Sequence, residues 1–398
     1  MSLTMFTFSV LNVLTYLLLG LITGNAAFSG IFSIVYPLQF VVAVLISLFA
    51  SASNIRANKE ENKNPVDTGI ILGLVVGTII FGIVSIFVDN YIAFMNMDPA
   101  IFRNFTLMAV IELFLYFVCN LIIEKLYFEN KDKQANFCTL GFIVLNLVTV
   151  VVTSLITKNQ VAILLTNTLS LFVYVAVWFG LKIKKFKFDF NILKNFKYES
   201  FGIVGDLFML IIYLFGFRIA FSFGEEYYLA LSFCNLVTDP LWDAVGSIQK
   251  IAKIDISQSN YNYKNALKKS AAISVFYIAV GTAVFFTLFR SYGVILEIGI
   301  IYLAIQIADI IVNIFKQNIQ VFLQLEYSAT KTTLVNLFTK IARAALSIIL
   351  FTPFNTDIAQ ISLGVVGLVI LLAFRFKNFN LGSTGELVRK EKYLQENV

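Results

Sequence analysis

The stretch from Thr68 to Val88, TGIILGLVVGTIIFGIVSIFV, contains no charged residue and consists mainly of Ile, Val, Leu, Phe and Gly. A helix needs about 20 mostly apolar residues to cross the hydrocarbon core of a bilayer. The apolar character continues with few interruptions to Phe94. Residues 68–94 are therefore predicted to form a membrane-spanning helix.

Similar apolar runs, separated by short polar segments, follow one another along the whole chain. They predict about twelve spans, near 3–23, 30–54, 68–94, 103–126, 136–156, 161–182, 199–222, 227–249, 266–289, 296–322, 333–352 and 357–375. Of the 398 residues, 59% are hydrophobic and 14% are charged, against about 25% charged in soluble proteins. The predicted fold class is an all-α membrane protein.

The composition also excludes several functional classes. With no His in the chain, zinc metalloproteases and His-dependent transferases are excluded. No Gly-rich phosphate loop is present, so an enzyme is not expected. The formal net charge of +6 does not indicate nucleic-acid binding, because the basic residues lie in short loops between apolar runs, where they act as topology signals. No cofactor or metal is predicted.

Lys and Arg are concentrated in every second loop. They are frequent near 56–63, 125–133, 182–197, 250–269 and 331 and after 375, whereas the alternate loops hold little more than Arg103, Lys158 and Arg290. Loops rich in Lys and Arg lie on the cytoplasmic side. We therefore predict a multi-pass protein of the cell membrane with both termini in the cytoplasm.

The basic stretch KIKKFKFDFNILKNFK, residues 182–197, divides the chain into two parts of about six spans each. We predict an N-terminal bundle over 1–182, a basic linker over 183–197, a C-terminal bundle over 198–375 and a cytoplasmic tail over 376–398. In both halves a charged loop follows the second span, and a polar turn joins the fourth span to the fifth. Two similar halves are typical of transporters built from internal repeats.

Several short motifs resemble a known family in their order and spacing. They are the segment Asn12–Gly20, Pro37 in the second span, the loop around Arg56, Asp98-Pro99, Asn146, the run Thr238–Lys269 and the segment Leu323–Lys331. In these features the chain resembles the multidrug and toxic compound extrusion (MATE) family.

This resemblance implies twelve helices in two six-helix bundles and cation-coupled export of organic compounds through a cavity between the bundles. It places Asn146 and Thr15 in the substrate cavity. Many family members carry an aspartate in the first helix at the position where this chain has Thr15. Because a hydroxyl does not titrate near neutral pH, coupling through the N-terminal bundle would have to rely on another residue, for which Glu112 is the candidate.

A charged residue inside a span is costly, about 2.5–3.5 kcal/mol on insertion scales, and is therefore a functional candidate. Asp239 and Asp243 are four residues apart and share one helical face, and Asp206 has a similar depth in the neighbouring predicted helix. Together with Glu112 they are the predicted coupling residues, because uptake of H⁺ or Na⁺ would relieve their repulsion. The structural alternative is that Asp243 pairs with Lys250 and that Asp239 caps a bend at Pro240.

Other candidates have structural explanations of equal merit. Asp309 on one span and Lys340 and Arg343 on the next are predicted to form a buried ion pair; the alternative is a coupling role. Arg218 is expected to extend towards the surface near Glu225 and Glu226, and Trp178 to anchor the helix at the membrane interface. Trp242, between two aspartates, is predicted to line the substrate cavity.

Three functions remain open. The first is a cation-coupled antiporter, a monomer that exports small amphipathic organic compounds, cationic ones being favoured by the acidic cluster. The second is a flippase for a lipid-linked saccharide, which Lys316, Lys340 and Arg343 favour. The third is a homologue that no longer transports and serves as a sensor or scaffold, which Thr15 favours.

Overall fold

The structure, a computed structural model, describes residues 64–129, 131–182, 196–257, 262–382 and 387–389, together with 17, 18, 20–22, 37, 38, 41, 42 and 45. Its helices are α1 (Asn64–Ile86), α2 (Val88–Phe94), α3 (Pro99–Phe128), α4 (Asp132–Thr157), α5 (Gln160–Lys182), α6 (Phe196–Phe223), α7 (Glu225–Ser257), α8 (Tyr263–Leu288), α9 (Leu296–Glu326), α10 (Ala329–Ile349) and α11 (Asn355–Asn378). A short 3₁₀ segment covers Phe289–Tyr292, and two strands, β1 (Phe379–Leu381) and β2 (Leu387–Arg389), follow α11.

Every predicted span after 68–94 coincides with a described helix, and the span 68–94 covers two helices. Within the described residues, 8 helices are long and apolar enough to cross a membrane, and α6 contributes a shorter apolar segment, Leu207–Phe223. The predicted all-α membrane fold is confirmed. The predicted spans 3–23 and 30–54 and the linker 183–197 lie largely outside the described residues.

The sequence predicts one helix over residues 68–94, whereas the structure has two helices there. Helix α1 ends at Ile86, Phe87 forms a turn, and α2 begins at Val88. Asp89 lies in the first turn of α2, where a negative charge stabilises the start of a helix. The pattern of hydrophobicity did not reveal this division because both helices are apolar.

The polar segments at the predicted span boundaries contain helix caps. The side chain of Asn262 accepts a hydrogen bond from the backbone N–H of Asn265 at the start of α8. Ser328 accepts one from the N–H of Lys331 at the start of α10. Such caps satisfy backbone donors that the first turn leaves unpaired. The polar turn between the fourth and fifth spans of the second half thus starts α10 at a defined residue.

Each half has its own packing. In the first half, α3 packs against α1, α4 and α5 around an apolar core that includes Phe117. In the second half, α9 packs between α7 and α11, and α10 packs against α6 and α11. The second half therefore brings side chains of α6, α7, α9 and α11 towards one another within the bundle.

The two halves meet at the end that the Lys and Arg distribution predicts to face outside. There the guanidinium of Arg218 lies 4.5 Å from the centre of the Phe94 ring, and the Asn96 side chain donates a hydrogen bond to the backbone oxygen of Arg218. Tyr228 donates to the sulfur of Met97, and Tyr292 donates to the backbone oxygen of Leu17.

The beginning of the predicted tail has regular structure. Helix α11 extends past the predicted boundary at 375 to Asn378, and β1 pairs with β2 in an antiparallel hairpin. Phe379 packs against Phe322 of α9, and Arg389 donates a hydrogen bond to the backbone oxygen of Glu326. These contacts attach the hairpin to the end of α9.

Candidate functional site

A small cavity lies inside the C-terminal bundle, with space for roughly one water molecule. Polar and aromatic side chains from four helices line it: Tyr213 of α6, Asn235 and Trp242 of α7, Gln306 and Asp309 of α9, and Asp357 and Gln360 of α11. The polar lining is unusual for the interior of a membrane bundle, where each polar group must find a partner within the protein. The cavity is therefore the candidate functional site.

Gln306 connects the helices around this cavity. Its side-chain Nε2 donates to Oδ1 of Asn235 over 2.7 Å and approaches Oδ2 of Asp357 at 3.4 Å. Its Oε1 accepts a hydrogen bond of 2.9 Å from the hydroxyl of Thr238. Through this one amide, α9 is bonded to α7 on one side and α11 on the other.

Asp357 is a buried carboxylate, with 5% of its surface exposed, in the first turn of α11. The helix N-terminus favours a negative charge at this position. The start of α11 is held by Asn355, which donates a hydrogen bond to the backbone oxygen of Ser347 at the end of α10. The backbone thus fixes the place where Asp357 enters the cavity.

Asp309 is the second carboxylate of the cavity. Its Oδ1 lies 3.7 Å from Nη2 of Arg343 and accepts a hydrogen bond of 2.9 Å from Asn313. Its Oδ2 is buried and has no hydrogen-bond partner among the described residues. Gly364 of α11 provides the space for this pair, because a Cβ atom there would lie 2.6 Å from Nη2 of Arg343.

The lining combines two carboxylates with amide and hydroxyl groups. Oxygen ligands suit hard cations, and buried Asp and Glu residues carry protons in pumps and transporters. Among the described residues, no group of three or more His, Cys, Asp or Glu side chains is placed to hold a metal ion. The arrangement suits a single proton or a monovalent cation better than a transition metal.

The predicted coupling residues of the second half lie on the helices that border this cavity. Asp239 is half-buried, and it is four residues after Asn235 and three before Trp242, which places all three on one face of α7. Helix α7 continues through Pro240. Asp206 lies on α6 and Asp243 on α7, but their side chains are outside the described part of the structure.

The predicted site in the first half is a separate polar cluster. Asn167 donates a hydrogen bond of 2.9 Å to Oε1 of Glu112 and accepts one of 2.7 Å from Thr149. Asn146, on the same helix as Thr149, is buried, and its Oδ1 has no hydrogen-bond partner among the described residues. Thr15 lies outside the described residues.

The remaining candidates have mainly structural surroundings. Lys340 of α10 lies against α6. A Cβ atom added at Gly205 of α6 would be 3.4 Å from Nζ of Lys340. Arg218 stacks on the ring of Phe94, and the described structure contains no ion pair between it and Glu225 or Glu226. Trp178 packs near Tyr174 and Phe137 in the first half.

The sequence argument missed part of the lining, namely Tyr213, Asn235, Gln306, Asp357 and Gln360. Asp357 fell at the predicted start of the last span, where a charged residue needs no explanation. One signal was present: Asn355, Thr356, Asp357 and Gln360 put four polar residues into the first two turns of an otherwise apolar span.

No protein-family model and no curated protein sequence matches the chain. Solved structures do match it over nearly its whole length. A multidrug resistance MATE family transporter of the MOP superfamily in an inward-facing conformation has 14% sequence identity and a TM-score of 0.63, over 92% of this chain and 94% of that chain. The chain has the MATE fold.

Two further structures show the same MATE fold. An outward-facing multidrug resistance MATE family transporter of the MOP superfamily has 16% identity and a TM-score of 0.64, over 94% of both chains. A MOP superfamily transporter from Pyrococcus furiosus, whose binding pocket of reverse polarity suggests a different function, has 14% identity and a TM-score of 0.63 over 94% of both chains. The predicted resemblance is thus confirmed at the level of the fold.

Proposed function

We propose that this chain is a transporter that exports small amphipathic organic compounds by alternating access of its two bundles, driven by H⁺ or Na⁺. The observation that carries the proposal is the pair of buried carboxylates, Asp309 and Asp357, at one polar cavity inside the C-terminal bundle. The MATE fold supports it, since structures described as inward-facing and outward-facing match about equally well, with TM-scores of 0.63 and 0.64.

Coupling requires that the ion binds one conformation more tightly than the other. A carboxylate inside a membrane bundle is costly while it is charged and unpaired, and binding of H⁺ or Na⁺ removes that cost. Asp357 is linked through Gln306 to α7, so a change in its charge acts on the contact between α7, α9 and α11. The loaded and empty bundles would therefore favour different helix arrangements.

Asp206, Asp239 and Asp243 belong to the same proposal. The side chain of Asp239 lies on the face of α7 that carries Asn235 and Trp242, both of which line the cavity. A carboxylate one turn away from the cavity can accept the ion during its passage or hold the substrate cation. Trp242 adds an aromatic face, which is the kind of surface that binds organic cations.

The flippase alternative needs basic side chains that can reach a pyrophosphate in the space between the bundles. Two of its three residues do not have this access: Lys316 has 7% and Arg343 has 5% of its surface exposed. Both lie within the C-terminal bundle, against α11. A lipid headgroup cannot contact them without separating the helices, so the exporter is the better-supported function.

Transport by the purified protein in proteoliposomes tests the proposal, with an organic cation as the substrate and an imposed Na⁺ or H⁺ gradient as the driving force. We expect gradient-dependent transport by the wild type and loss of that dependence in Asp357→Asn, Asp239→Asn and Asp243→Asn. Asp89→Asn is the matched control, because Asp89 is a half-buried carboxylate of the first half in an ion pair with Arg103.

Two results would contradict the proposal. Wild-type protein without gradient-dependent transport of any tested organic cation would favour the non-transporting homologue. Transport that survives all three substitutions but is lost in Glu112→Gln would move the coupling site to the cluster of Glu112 and Asn167 in the first half.

A further inference from the structure

Helix α9 carries a second polar group beyond the cavity. Gln306, Asp309, Asn313 and Lys316 follow one another at spacings of three and four residues, so they lie along one face of the helix. All four are buried. Gln306 and Asp309 line the cavity, whereas Lys316 lies further along α9 and is not part of the cavity lining.

Among the described residues, Lys316 is a buried cation without a hydrogen-bond or ion-pair partner. It has 7% of its surface exposed and makes no hydrogen bond or ion pair with the described residues. The end of the Lys316 side chain lies alongside α11. A Cβ atom added at Gly367 would be 3.5 Å from Nζ of Lys316 and 3.3 Å from the hydroxyl oxygen of Thr339. An unpaired ammonium at such a place is expensive, because neither lipid nor the protein replaces its hydration.

Arg343 is also incompletely paired. Its Nε and Nη2 are buried and have no hydrogen-bond partner among the described residues. Its contact with Asp309 is an ion pair at 3.7 Å, longer than a hydrogen bond, and the Asp309 oxygen in that pair already accepts a bond from Asn313. The guanidinium therefore has N–H donors without a hydrogen-bond partner on the side that faces α9 and α11.

The charges of this group do not balance. Lys316 is attracted by Asp309 and repelled by Arg343, so one buried carboxylate faces two buried cations. The carboxylate of Asp357 instead contacts the side-chain amide of Gln306. The group of Lys316, Arg343 and Asp309 thus keeps an excess of positive charge in the interior of the bundle.

We propose that Lys316 and Arg343 bind a small inorganic anion, such as chloride, between α9, α10 and α11. A halide accepts hydrogen bonds from both the ammonium and the guanidinium, and it balances the excess charge. Both cations lie against glycines of α11, Arg343 at Gly364 and Lys316 at Gly367, so their donors flank the same stretch of that helix. The anion site shares Asp309 with the cavity of the proposed function, but its test measures stability and does not require transport.

Thermal unfolding of the purified full-length protein tests the site. Chloride is titrated against gluconate, a bulky organic anion, at constant ionic strength and pH. A ligand that binds only the folded state raises the unfolding midpoint in a saturable way. We expect a rise of a few degrees for the wild type and no rise for Lys316→Met, which keeps the shape of the side chain without its charge.

Lys268→Met serves as the matched control, because Lys268 is an exposed lysine in the second turn of α8. It should keep the full response to chloride. An unfolding midpoint of the wild type that is the same in chloride and in gluconate would overturn the proposal, and so would an equal response of Lys316→Met and the wild type.

A second measurement does not depend on any variant. Crystals of the wild type grown in bromide should show an anomalous scattering peak within hydrogen-bond distance of Lys316 Nζ and the Arg343 guanidinium. Occupied bromide sites elsewhere in the protein with no peak at this position would refute the site, even if Lys316→Met failed to fold.

Discussion

The guanidinium of Arg343 on α10 lies 3.7 Å from the carboxylate of Asp309 on α9, and both side chains are buried in the C-terminal bundle. Of the two predicted cationic partners, Arg343 is the one that the structure pairs with Asp309. The pair lies beside the polar cavity, so it also fixes the position of one of the two carboxylates in the candidate site.

Removal of one charge of this pair should destabilise the protein more than removal of both charges. We expect Asp309→Asn to lower the free energy of unfolding by about 3–5 kcal/mol, because it leaves two buried cations without a carboxylate. The double variant Asp309→Asn/Arg343→Met should lose less, because one of those cations is gone. Unfolding of the purified variants in a denaturing detergent measures both values, and a double variant less stable than Asp309→Asn would contradict this prediction.

Gly364 should not tolerate a side chain. A Cβ there would lie 2.6 Å from Nη2 of Arg343 and 3.1 Å from Oδ1 of Asp309, so Gly364→Ala must displace the pair. We expect a loss of about 1–3 kcal/mol in the free energy of unfolding. Gly82→Ala in α1 is the control, because no atom lies within 4 Å of a Cβ at that site, and it should be neutral or slightly stabilising. Equal stabilities of the two variants would contradict this packing.

Two ion pairs of the first half should differ in their effect on stability. Asp67 and Lys125 form a buried pair, with 12% and 9% of their side-chain surfaces exposed, whereas Asp89 and Arg103 are 47% and 59% exposed. Asp67→Asn should cost about 1.5–3 kcal/mol of unfolding free energy, because it removes a charged hydrogen bond while Glu129 stays 3.9 Å from Lys125. Asp89→Asn should cost less than about 1 kcal/mol. Thermal unfolding of the two variants side by side measures the difference between their stability losses. Similar losses in the two variants would contradict the prediction.

Both termini are predicted to be cytoplasmic, because the Lys-rich and Arg-rich loops alternate without a break. A reporter enzyme that is active only outside the cytoplasm should give no signal when it is fused after Val398. The same reporter inserted after Asn96, between α2 and α3, should be active. The opposite pair of signals would invert the whole topology.

The sequence predicted most of the helices but only part of the site. Lys316, Asp309 and Arg343 stood out because charged residues are rare within apolar spans. Gln306 and Asn235 did not, since neutral amides are common in membrane helices and their spacing does not reveal a partner on another helix. Asp357 was overlooked because it is close to the end of its span.

The sequence by itself determined that this chain is an α-helical membrane protein and where nearly every described span lies. Both follow from local properties, since a bilayer demands about 20 apolar residues in a row wherever the chain crosses it. Only the tertiary structure decided that Gln306 joins Asn235 to Asp357, that Arg343 rather than Lys340 pairs with Asp309, and that Lys316 is buried without a partner among the described residues. These relationships depend on how each helix is rotated against its neighbours, which the packing of the whole bundle sets and no single span encodes.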